Sequence, residues 1–354
     1  MASGKRLDHV HGLRGIAALM VVVQHAFEMA RLGGSDLFAF SLSHVNFGRF
    51  GVVLFFLISG LVVPFSFRGD RPIRSFAISR FFRLYPAYWA SIAVFLAIAI
   101  WQGAPIPGET IAANLTMLQT LWGQPNIGNA YWTLLYEMIF YGLCVLLCAG
   151  GMLRSANIIG TIAMLCLVGS VMPAPGGAPG DVVTVFYFFS LFFIGMILRL
   201  AFVDHDRQAK GWAVVLVVVG TLTGMAMGGA FFAVEENGNQ FFPPIALITA
   251  MALPIPLFAM ALWLKPAPGK VLMYFGTISY SVYLFQQPVL DLVSRVIQPG
   301  HWPVAYLLAV LAIVVAISAA VFRWIEKPML ELGKRLDQRP ASSEALLASG
   351  GVRS

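Results

Sequence analysis

The chain is poor in charge. Of its 354 residues only 11% are Asp, Glu, Lys or Arg, against about 25% in ordinary soluble domains. With 59% hydrophobic residues, this excludes a water-soluble globular protein and leaves a polytopic membrane protein. Cysteine is scarce as well. Cys144, Cys148 and Cys166 fall inside apolar runs with no histidine nearby to make a metal site and no disulfide framework, so they read as small packing residues and no metal is expected. A cleavable leader is also missing: the first apolar run is too long and no small-residue cleavage site follows it, so the first helix is expected to stay in the protein. Internal repeats are not visible, and no soluble stretch of domain size remains. The net charge of +7 would suit a nucleic-acid binder, but the basic residues cluster in short loops beside apolar segments, which is a topology signal rather than a groove-binding patch.

What is present is a series of apolar runs. Segments long enough to cross a bilayer predict ten spans near residues 12–30, 49–67, 84–101, 131–149, 157–172, 182–200, 212–232, 243–264, 271–293 and 303–321. The fifth is short, and Pro254 with Pro256 predicts a kink in the eighth. Lys and Arg alternate between rich and poor loops without a break, which predicts cytoplasmic N- and C-termini. Two segments depart from simple spans. RSFAISRFFR, residues 74–83, places three phenylalanines among three arginines and predicts a short interfacial amphipathic helix. Residues 102–130 form a long loop that either lies on the outer surface or dips back into the bundle. The expected architecture is therefore an all-α integral membrane protein with one transmembrane domain over residues 1–336 and a disordered cytoplasmic tail over 337–354.

The candidate chemistry sits where ionisable groups are expensive. LDHVHGLRGIAALMVVVQHAFE, residues 7–28, is a membrane-length apolar helix carrying Arg14 near one end and His25 near the other. Eleven residues apart, the two fall on one stripe with Ala18 and Val21, roughly 16 Å apart along the axis. The bland reading has Arg14 reaching a headgroup and His25 satisfied between helices; the functional reading has both facing an interior cavity. Glu137 lies inside YWTLLYEMIFYGL and is either half of a register-fixing ion pair or a group that orients a histidine or assists proton transfer. Trp132 and Tyr136 flank it and suit a membrane-face belt or a substrate platform. Arg80 and Arg83 share a helix face and serve either topology or phosphate recognition. Glu326, at the end of the last span, is expected to pair with a neighbouring arginine.

Taken in order, GLRGIAALMVVVQH, GVVLFFLISG, SRFFRLYPAYW, WTLLYEMIFY, SYSVYLFQQP and WIEKP resemble the motifs of acyltransferase family 3, the integral membrane O-acyltransferases of bacterial O-antigens, exopolysaccharides and related glycans. The resemblance runs almost end to end. It implies a multi-pass enzyme of the bacterial inner membrane that takes an acyl group, usually acetyl from acetyl-CoA on the cytoplasmic side, to a hydroxyl of a cell-surface or lipid-linked carbohydrate. It further implies that Arg14 and His25 are the functionally essential pair and that Arg80 and Arg83 form the basic motif. On this reading His25 acts as base or carries the acyl group, Glu137 assists it, and Arg14, Arg80, Arg83, Trp132, Tyr136 and Gln286 bind substrates. One position departs from the pattern. Gln286 stands where relatives often carry a histidine, and an amide cannot exchange a proton near neutral pH. Two rival expectations remain: a transporter or flippase of lipid-linked sugars with the same charges lining a pathway, and an acyltransferase with a non-sugar acceptor.

Overall fold

The computed structural model describes residues 7–172, 181–235 and 243–338, and among these every regular element is helical. In chain order the helices are α1 (Asp8–Leu32), α2 (Ala39–His44), α3 (Phe47–Val62), α4 (Pro72–Trp101), α5 (Gly108–Asn114), α6 (Trp132–Ala149), α7 (Ala156–Val171), α8 (Asp181–Phe202), α9 (Arg207–Glu235), α10 (Pro244–Ala252), α11 (Pro254–Leu264), α12 (Lys270–Ser294), α13 (Pro303–Val321) and α14 (Lys327–Asp337). Among the described residues eight helical segments are long and apolar enough to cross a membrane, which makes this an all-α, multi-pass membrane protein. The other two expected spans are also helices: α7 has 16 residues, and α12 has 25 but is studded with hydroxyl and amide side chains. Most of the expected tail, and most of the loops expected near 173–181 and 233–242, lie outside the described residues.

Prolines mark several helix starts, where their missing N–H would have no intrahelical partner: Pro72, Pro244, Pro254 and Pro303 all stand in a first turn. The kink expected in the eighth span is a division at Leu253, between α10 and α11. Pro86 behaves differently. It lies inside α4, whose 30 residues run through it without a break, so segment 74–83 is not a separate interfacial helix. At 1.5 Å per residue α4 is about 45 Å long, against roughly 30 Å of hydrocarbon, and the arginine-rich segment is its overhang. The short helix that packs on this overhang is α14, reached from α13 through a π-turn at Phe322–Glu326.

Helix α1, which carries Arg14 and His25, packs closely against both α12 and α3. Both approaches need residues without side chains. A Cβ on Gly15 would sit 2.6 Å from the Gly276 nitrogen of α12, and one on Gly51 of α3 would sit 2.6 Å from the Ala17 carbonyl oxygen. Small residues let backbones close to van der Waals contact, the main attraction available between helices in lipid.

The loop between α4 and α6 is re-entrant. Tyr88 donates to the Asn114 carbonyl at 2.7 Å, Trp89 Nε1 to Leu115 at 3.0 Å and Tyr85 to Thr116 at 3.0 Å. Tyr88 lies thirteen residues before the end of α4, so the loop turns back about 20 Å along that helix. Its backbone stays satisfied at depth because aromatic donors on α4 cap consecutive carbonyls. Asn114, fully buried, holds the other side by donating to the carbonyls of Thr110 and Pro125 and accepting from the Ile127 N–H.

Candidate active site

Two chambers lie end to end along the face of α1 that carries Arg14 and His25. The small one, about 40 Å³, has space for about three waters and is bounded by Arg14 of α1, Ser59 of α3, Glu137 of α6, and Ser279, Tyr280 and Tyr283 of α12. The large one, about 460 Å³, is bounded by Gln24, His25 and Glu28 of α1, Asn46 and Arg49 at the start of α3, Asn129, and Trp132 of α6. Val52 and Tyr283 border both, so the chambers share a wall. The Tyr283 hydroxyl is fixed in that wall, donating to the Ala130 carbonyl at 3.0 Å and sharing a 2.8 Å hydrogen bond with the Thr133 hydroxyl.

His25 is not sealed in apolar packing. Its side chain is 34% exposed, and Nδ1 lies 2.9 Å from Glu28 Oε2. Glu28 Oε1 accepts from Gln24 Nε2 at 2.9 Å, and Gln24 Oε1 accepts from the Phe47 N–H at 2.8 Å. The carboxylate expected to serve His25 is thus elsewhere: Glu137 accepts from Tyr141 at 2.6 Å and from Ser59 at 3.5 Å, and shares the small chamber with Arg14. Opposite charges facing one cavity offset each other's desolvation, which is how Arg14 and Glu137 are both held at membrane depth.

Arg80 and Arg83 point to different surroundings. Arg83 Nη1 donates to Glu326 Oε2 at 3.3 Å, and Ser281 donates to the other oxygen of the same buried carboxylate, so Glu326 has the arginine partner expected for it. The π-turn carries Glu326 inward to make these bonds. Arg80 stacks near the rings of Phe76 and Tyr141, 5.7 and 5.8 Å from their centroids. It also borders a polar cavity of about 240 Å³ at the Pro72 end of α4, together with Arg68, Lys334, Ser66, Ser75 and Ser79. Asp337 closes that cavity and accepts from Ser75 at 2.8 Å.

Of the remaining expected site residues, Trp132 reaches the large chamber. Tyr136 and Gln286 border neither chamber. Tyr136 packs in an aromatic cluster, its ring 6.0 Å from Phe56 and 5.6 Å from Trp132. Gln286 is 1% exposed and turns back to donate to the Tyr283 carbonyl of its own helix at 3.2 Å. Sequence reasoning missed Gln24, Glu28, Asn46, Arg49 and Tyr283. The signal for the first two was available: Gln24, His25 and Glu28 put three polar groups within five residues of an otherwise apolar helix, at spacings that meet on one face.

Compared with known proteins, residues 7–323 match a family model described as an acyltransferase domain. The chain is 25% identical to Nodulation protein 10 of Rhizobium leguminosarum bv. viciae over 363 residues, covering 93% of this chain and 95% of that protein. It is 25% identical over 320 residues to the Exopolysaccharide production protein ExoZ of Rhizobium meliloti (strain 1021), covering 82% of this chain and 92% of that one. It is 24% identical to the Peptidoglycan O-acetyltransferase OatA of Listeria monocytogenes serovar 1/2a, covering 94% of this chain and 57% of that one. No solved structure matches the chain.

Proposed function

The chain belongs to the acyltransferase family whose domain spans residues 7–323, and from that premise we propose that it is a membrane-bound O-acyltransferase moving an acetyl group from acetyl-CoA to a hydroxyl of a cell-surface or lipid-linked carbohydrate. One observation carries the reading: the His25 imidazole, embedded in a membrane helix, borders a 460 Å³ chamber that abuts a second chamber holding Arg14. Attack by the acceptor oxygen on the thioester carbonyl forms the ester C–O bond. His25 Nε2 takes the hydroxyl proton, and the same proton returns to the departing thiolate as the C–S bond breaks. A transient acyl-imidazole would use the same ring nitrogen.

The donor end of the site follows the basic residues. With both termini on the cytoplasmic side, as the loop charges favour, the cavity around Arg68, Arg80 and Lys334 opens toward the compartment that holds CoA, and guanidinium forks suit its phosphates. Arg14, eleven residues before His25 on α1 and so nearer the cytoplasm on this topology, borders the small chamber, where it would hold the path of the pantetheine arm. For the acceptor, Asn46, Asn129 and Trp132 give the large chamber the amide and aromatic lining that suits a sugar, and the printed names of the exopolysaccharide and peptidoglycan relatives support a glycan. The bacterial sources of those relatives support the inner membrane as its location. The test is transfer of labelled acetyl from acetyl-CoA to glycan in membranes bearing the protein. Wild type is expected to transfer label, and His25→Ala to accumulate normally and transfer none. Full transfer by that variant removes the mechanism.

A further inference from the structure

The bonds around His25 go further than the proposed function, although they rest on it. We infer that Gln24 and Glu28 form a positioning relay that sets the tautomer of His25 and makes Nε2 its reactive atom. The relay starts from the backbone of a different helix. Phe47 opens α3, so its N–H is one of the donors that an α-helix leaves without an internal partner. It donates to Gln24 Oε1 at 2.8 Å, which settles the orientation of that amide: the oxygen faces α3 and the NH₂ faces Glu28. Gln24 is 1% exposed and cannot turn over without burying two unpaired groups. The carboxylate of Glu28 is therefore held at one oxygen by Gln24 and meets His25 Nδ1 with the other.

A carboxylate is an acceptor, so the ring nitrogen that faces it carries the hydrogen. Nδ1–H is fixed, and Nε2 keeps a lone pair for the acceptor proton or for the acyl group. Once the ring is protonated, Glu28 lies 2.9 Å from the new charge and Arg49, the other charged group bordering the chamber, opposes it. Neither Gln24 nor Glu28 needs to touch the substrates for this.

The relay makes a prediction specific to the amide. In Glu28→Gln, the new oxygen has to take the place facing the Gln24 NH₂, because two donors cannot face each other. That leaves the new NH₂ facing His25 Nδ1, and the ring must switch to the Nε2–H form. Detergent-purified wild type and variant are compared by ¹⁵N-histidine NMR, with a His25→Asn sample identifying the His25 signals, and by acetyl transfer at varied donor and acceptor. Expected are a Nδ1–H ring in wild type, a Nε2–H ring in Glu28→Gln, and a loss of kcat on the order of 100-fold with both KM values unchanged. Glu28→Asp, which keeps an acceptor, recovers part of the rate. An unchanged tautomer, or wild-type kcat in Glu28→Gln, overturns the relay. If purified wild type transfers no acetyl at all, it is the proposed function that fails, and the NMR comparison still judges the relay.

Discussion

At the scale of single residues, the site depends on polar groups that each meet a partner. Arg14 faces Glu137 across the small chamber rather than reaching the headgroups, and this difference is measurable. Lysine keeps the charge but presents a compact point where arginine presents a planar fork. Arg14→Lys is expected to raise the KM for acetyl-CoA about tenfold, equivalent to about 1.4 kcal/mol, with a smaller change in kcat. Initial rates at varied donor check this, and an unchanged KM argues against a donor role for Arg14. The Arg14–His25 stripe is legible in the sequence because a charge and an imidazole in an apolar helix need explanation, and helical periodicity puts them on one face. Glu28 is not legible in the same way. A carboxylate three residues after a histidine is an ordinary helix-surface pair until Gln24 and the Phe47 N–H show that it is held from behind. Glu137 attracts the role instead because it is the more conspicuous charge within an apolar run, and only the packing of α6 directs it to Arg14.

At the scale of elements, periodicity and composition find the helices but misjudge where one ends. The phenylalanines and arginines of 74–83 read as an interfacial helix separate from the span that follows, but α4 runs through both and through Pro86, because a membrane helix tolerates an internal proline where its neighbours resatisfy the backbone. The depth of the loop over 102–130 is not legible either. Its amide and hydroxyl residues suit a surface as well as an interior, and the three carbonyl caps on α4 decide for the interior. Those bonds predict a stability effect at some distance from the chemistry. Asn114→Ala removes the side-chain bonds to the Ile127 N–H and to the Thr110 and Pro125 carbonyls, and is expected to cost about 1–3 kcal/mol. A lowered thermal midpoint in detergent checks it, and an unchanged midpoint would mean the loop does not depend on this side chain.

At the scale of the whole molecule, the order of the motifs carries more than any one of them. Six short segments scattered over more than 300 residues come together around α1, α3, α4, α6 and α12, with the π-turn supplying Glu326 beneath them. Family membership and helical architecture are legible from that order. The division of the interior into compartments is not, because Val52 and Tyr283 carry no sign of a shared boundary until the helices are packed. That boundary has a chemical consequence. An activated thioester decomposes when water reaches it, and on the proposed path the donor passes an anchored phenol and a valine where the arginine chamber meets the larger one around the imidazole. Tyr283→Ala is expected to merge the two spaces and to raise release of free CoA when no acceptor is supplied, read as thiol appearance. On this view the thickness of one aromatic ring separates productive esterification from futile spillage of the cell's acyl currency.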